Sequence, residues 1–155
     1  MNYASVADMV CRFDERELIQ LTDREHVPPA ALAVAVAETA LADAQALVDG
    51  YLGQRYRLPI IGCRQAGSEL RTAPPLLTRL TCDIARYHLY DDLAPEAEVV
   101  RRYKEATRML EAIAAGEVAI ACPLGDSPVE RIGGEGDTVF GFSPRQITDD
   151  SLRGY

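Results

Sequence analysis

The chain has no tryptophan and only two histidines, His26 and His88, so the side chain best suited to acid–base work near neutral pH is scarce. No apolar run reaches about 18 residues, so no segment is long enough to span a bilayer as a helix. The opening stretch MNYASVADMVCRFDERE has no basic patch followed by an apolar core, so no signal-peptide pattern is visible and synthesis in a cytoplasm is expected. Cys11, Cys63, Cys82 and Cys122 stand far apart with no CxxC pair. In a reducing compartment they are expected to be free thiols acting as small hydrophobes, not a disulfide or zinc framework. Positive charge is also in deficit. The formal net charge is −8, which repels phosphate and argues against nucleic-acid binding as the main activity. A protein that surrounds DNA without holding it is still compatible with that charge.

What is present reads as a soluble, mainly α-helical bundle of four to five helices. A hydrophobic content of 48% over 155 residues suffices for one core. Ser5 suits an N-cap, followed by Val6, Met9, Val10 and Phe13 on one face. A short helix is expected through Asp14–Ile19, ending near Thr22-Asp23. Between Pro29 and Leu52, apolar residues recur in threes and fours at Leu32, Val36, Ala40, Ala44, Leu47, Val48 and Tyr51, and Gly53 follows as a cap. Residues 53 to 73 read as a long loop. Pro74-Pro75 opens another helix carrying Leu76, Leu77, Leu80, Ile84, Tyr87 and Leu89. The last helix sets Val99, Tyr103, Ala106, Leu110 and Ile113 in a narrow stripe, with Gly116 ending it.

The character changes there. Residues 117 to 155 hold seven acidic and three basic residues and little periodicity, with brief strands possible at 118–122 and 138–142. This divides the chain into a helical body, 1–115, and an extended arm, 116–155.

No site of reaction chemistry stands out, and no enzyme is expected. Gly133-Gly134-Glu135-Gly136 lacks the lysine of a phosphate loop and no long helix follows it, so a flexible turn is the better reading. His88 lies three and four residues before Asp91 and Asp92, yet a third strong metal ligand is missing locally, which favours a helical pair. His26 has no obvious partner. Cys82 is six positions from His88, too far round the helix for a nucleophile and its base. Asp14, Glu15 and Glu17 alternate with Arg12 and Arg16 as a solvated, salt-bridged face does. No metal or cofactor is expected. Tyr51, Arg55, Tyr56 and Arg57 form a cluster of the residue types enriched at interfaces. They fit an assembly contact and a cover over the long helix's end equally well. Phe140, Phe142, Ile147, Leu152, Arg153 and Tyr155 are anchors spaced along the arm that suit docking on a neighbour.

Four blocks together carry a resemblance. Tyr3-Ala4-Ser5 through Arg12-Phe13 to Glu17–Asp23 is similar to the opening of the neck proteins of Mu-like phages and prophages. So are Tyr51–Pro59, Leu80–Asp92 and the ending Ser151–Tyr155, in the family's order and over nearly the whole chain. The chain departs from that pattern at Arg24–Pro28, where relatives often carry a longer acidic loop. The resemblance implies a structural virion protein, a head–tail connector (adaptor) subunit at the virion neck. It further implies a homo-oligomeric ring of about twelve copies. The implied partners are the portal protein and another neck or tail-terminator protein, with no membrane, and DNA at most passing through the ring. The competing reading is a small helical DNA-binding or regulatory protein. It needs a basic recognition helix, and the most basic one here (Arg101, Arg102, Lys104, Arg108) also carries Glu98, Glu105 and Glu111.

Overall fold

The computed structural model describes residues 1–90 and 96–132. Five helices and one two-stranded hairpin make it a mainly α domain: α1 Val6–Arg12, α2 Glu15–Thr22, α3 Val34–Leu52, β1 Cys63–Arg64, β2 Arg71–Thr72, α4 Pro75–Leu89 and α5 Ala97–Ala115. No helix among the described residues is long and apolar enough to cross a membrane.

Local chemistry accounts for the helix ends. Ser5 and Asp8 close a reciprocal capping box at α1, and the Asp14 carboxylate accepts from the Arg16 amide at α2. Pro75 occupies the first turn of α4, where its missing N–H costs nothing. Gly116 caps α5 at φ +81°, a conformation that glycine adopts without strain.

Helix α3 begins at Val34, five residues later than the proline spacing predicts. The cause is a single carboxylate. Asp23 accepts the backbone N–H of His26 at 3.2 Å and of Ala30 at 2.9 Å, and more weakly those of Glu25 and Ala31 at 3.3 Å. The Thr22 hydroxyl takes the Ala33 N–H at 3.1 Å. These amides are therefore satisfied in a loop instead of a helical first turn.

Helix α4 is the centre of the body. It packs against α3 on one side and α5 on another, and α1 touches it as well. Leu77, Leu80, Cys82, Ile84, Ala85 and Leu89 are all buried along it. The stripe expected on α5 is found, with Val99, Ala106, Leu110 and Ile113 buried. Tyr103 is only half-buried and stacks on Tyr87 with ring centroids 4.1 Å apart. On α3 the buried set is Ala37, Ala40, Leu41, Ala44, Val48 and Leu52, while Leu47 and Tyr51 flank it partly exposed. The buried face is turned from the expected one because so many of its positions are alanine, whose small side chain marks no face clearly.

The stretch 53–73 is not all loop: Cys63 pairs with Thr72 and Arg64 with Arg71 in an antiparallel hairpin. The cysteines are not all free either: Cys63 and Cys122 form a disulfide across 59 residues, while Cys82 stays buried and Cys11 exposed as thiols. A pairing this remote in sequence has no local motif. It arises because the hairpin and the segment after α5 lie against each other.

That segment, 117–132, is not a strand at 118–122 but irregular chain folded back on the body. Ile120 and Cys122 are buried. The Arg64 amide donates to Asp126 at 3.1 Å, those of Ile61 and Gly62 donate to the Pro128 carbonyl, and Arg57 donates to Glu130. The anchors Phe140, Phe142, Ile147, Leu152, Arg153 and Tyr155, the turn at 133–136, the strand at 138–142, and Asp91 and Asp92 lie outside the described residues.

Candidate assembly surface

The tyrosine–arginine cluster follows directly from the end of α3. The chain turns at Gly53, and Tyr56 is drawn into the core at 3% exposure, where it also bridges to Arg131. Ile132 donates its amide to the Arg55 carbonyl at 2.8 Å, closing the same turn from the other side. The Arg55 guanidinium lies against Gly116, at the C-terminus of α5, where a cation complements the partial negative charge of the helix end. Its Nε is buried without a hydrogen-bond partner. Tyr51 is half-buried. Arg57 points outward, 75% exposed and 4.0 Å from Glu130. Tyr56 and Arg55 thus close the ends of α3 and α5, Tyr51 lies half-buried at the end of α3, and Arg57 is offered to solvent.

In the acidic stretch around α2, Arg12, Asp14, Glu15 and Arg16 are exposed as expected, and Glu17 is the exception. Glu17 turns inward and receives a two-pronged hydrogen bond from Arg86 of α4, both contacts at 2.8 Å, plus the Tyr90 hydroxyl at 2.7 Å. Arg86 in turn lies over the Phe13 ring, 4.8 Å from its centroid. Burial, then the bond to Glu17, pushes the Tyr90 phenol up to about 12. His26 has a partner after all, since Nδ1 lies 2.9 Å from Asp23 Oδ1. The backbone bond from Ala30 and the contact with His26 hold the Asp23 carboxyl far below the usual range. His88 sits half-buried beside the Tyr87 and Tyr103 rings. Burial lifts the Cys82 thiol to about 12, which leaves it un-ionised and a poor nucleophile. Among the described residues no three His, Cys, Asp or Glu side chains gather as metal ligands would.

A feature that sequence reading missed lies between α1, α4 and α5. A groove of about 390 Å³ is floored by Phe13, Leu80 and Ala106. Arg12, Arg79, Arg101 and Arg102 rim it, with Asp83 and Glu105 between them. Arg101 and Arg102 are held by acids of their own helix: Arg102 Nε bonds Glu98 at 2.9 Å, and Arg101 bonds both Glu98 and Glu105. Those bonds draw Glu98 down to about 2. Arg102 also reaches Asp83 at 3.6 Å, and burial raises the Asp83 carboxyl against the pull of its arginine neighbours. Residues 12, 79 and 101 are too distant in sequence to have signalled this groove; only the packing of α1 and α5 onto α4 assembles it.

The family model for bacteriophage Mu, Gp36 matches residues 3–135. The chain belongs to the bacteriophage Mu Gp36 family. It is 36% identical over 117 residues to gene product J of Escherichia phage Mu, covering 76% of this chain and 74% of that one. It is 33% identical over 129 residues to the Mu-like prophage FluMu protein gp36 of Haemophilus influenzae, covering 83% and 82%. The Gp36 match spans every described element, from the α1 cap to the chain that closes over Tyr56. The protein is therefore phage-associated, and nothing in these names is enzymatic.

Proposed function

We propose that this Gp36-family protein is a structural subunit of the virion neck, a head–tail connector that forms a ring between portal and tail. The observation that carries the reading is family membership across the whole helical body, joined to the blocks that resemble Mu-like neck proteins. Three of those blocks fall on described residues, as α1 with α2, the turn after α3, and the central helix α4, all parts of the helical scaffold; Ser151–Tyr155 lies outside them. In this reading residues 117–132 belong to the body, stitched by the disulfide. The assembly arm is the stretch beyond, whose anchors Phe140, Phe142, Ile147, Leu152, Arg153 and Tyr155 dock on neighbouring subunits. Many weak contacts of that kind act together once a ring closes. The acidic surplus faces the channel and keeps passing DNA from sticking, by a repulsion that salt weakens.

The DNA-binding alternative is disfavoured by α5 itself, because Arg101 and Arg102 are occupied by Glu98, Glu105 and Asp83. Deleting the gene from the phage is the decisive test. Filled heads and separate tails, joined in vitro on adding the purified protein, are the expected result. Normal joined particles without the protein would refute the connector role.

A further inference from the structure

We propose that the arginine groove between α1, α4 and α5 receives the outer face of α3 from a second copy of this chain. The inference rests on the ring reading and names the surfaces that join its subunits. Within the groove, Arg101 and Arg102 already have acidic partners, whereas Arg12 and Arg79 make no hydrogen bond or ion pair among the described residues and are exposed. Neither is tied down by a hydrogen bond, although Asp83 lies within electrostatic reach of Arg79, and the groove keeps four arginines against two acids beside its apolar floor.

The complementary surface is on α3, which contains no basic residue. Glu38 and Asp43 are exposed on it and likewise have no partner among the described residues. Around them Ala35, Thr39, Ala42 and Ala46 are exposed and small, so a neighbouring helix pair can approach closely. Helix α3 packs against both α4 and α5 and so fills one side of that pair, while the arginine groove opens elsewhere without an α3 residue in its lining. The two surfaces thus lie on different sides of one subunit. A contact between unlike faces joins copies head to tail and closes into a ring or runs on as a filament. A second copy suits the groove better than DNA does, because Asp83 and Glu105 sit inside it and the chain is net acidic.

Sedimentation velocity at low and high salt, on full-length protein, tests the pairing. Wild-type chain should self-associate at low salt and dissociate as salt rises. Arg12→Glu/Arg79→Glu and, separately, Glu38→Arg/Asp43→Arg should each weaken association by about tenfold or more while keeping native circular dichroism. Mixed one to one, these two variants should form heterodimers, since one retains the face and the other the groove. If both variants associate like wild type, the interface is wrong while the ring reading stands. A wild-type chain that stays monomeric throughout overturns the interface as well, and the gene-deletion test then judges the connector role separately. Retarded migration of duplex DNA by wild type, lost in Arg12→Glu/Arg79→Glu, would assign the groove to nucleic acid and also overturn the proposal.

Discussion

Replacing Glu17 by alanine should be among the most damaging single changes outside the apolar core. The substitution leaves Arg86, whose side chain is only 11% exposed, with no carboxylate, and it strips the Tyr90 hydroxyl of its acceptor. Breaking a buried ion pair by removing one partner costs about 3–5 kcal/mol. Glu17 itself is 21% exposed, so water reaches the site and relieves part of that; about 2–3 kcal/mol is expected here. For a chain of this size that lowers the melting temperature by about 6–10 °C. Arg86→Leu should cost less, since Tyr90 still donates to Glu17 and leucine can cover Phe13. The double variant Glu17→Ala/Arg86→Leu should lose clearly less than the sum, with a coupling of about 1–3 kcal/mol in urea unfolding. The linkage to pH has a definite sign. The phenol of Tyr90 is raised from near 10 to about 12, so its contribution is complete below pH 10 and fades as pH climbs through 12. That alkaline loss should be blunted in Glu17→Ala. Additive single-variant effects, within about 0.5 kcal/mol, would refute the inward reading of Glu17 and return it to a solvated surface.

Leu80→Ala or Leu110→Ala, at residues 1% and 0% exposed, should each lose about 2–5 kcal/mol by denaturant titration. Cys63→Ser/Cys122→Ser should destabilise oxidised protein by up to about 4 kcal/mol, the chain-entropy value for a 59-residue loop, and leave reduced protein little changed. The Asp23 carboxyl is held below its ordinary range, so its hold on the loop is complete above about pH 4 and fades as pH falls. Asp23→Ala should accelerate hydrogen exchange at the amides of Ala30 and Ala31 near neutral pH while leaving α4 amides protected.

Helices whose signals are local were legible in advance. Ser5, Pro75 and Gly116 mark ends by rules confined to one turn, and the large side chains of α4 and α5 fix a face unambiguously. The face of α3 was less legible because alanine suits core and surface alike. Its start was misread because Asp23, seven residues before Ala30, consumes the amides that a helix would otherwise have begun with. The hairpin Cys63–Thr72 is too short to show periodicity, and its disulfide partner is 59 residues away. Of the candidate surface, Tyr51–Arg57 was visible as a cluster, though not that Tyr56 is core and Arg55 a cap on α5. The arginine groove could not have been foreseen, since its rim is drawn from positions 12, 79, 101 and 102 of three different helices.

The central claim, that this protein is a ring subunit of the neck, is tested most directly by electron cryomicroscopy of the head–tail junction in intact particles. The prediction is a ring of helical bundles beneath the portal into which α3, α4 and α5 fit as a unit, with the chain beyond residue 132 traced onto adjacent subunits. A junction with no density matching this bundle, in particles that assemble and join normally, would contradict it.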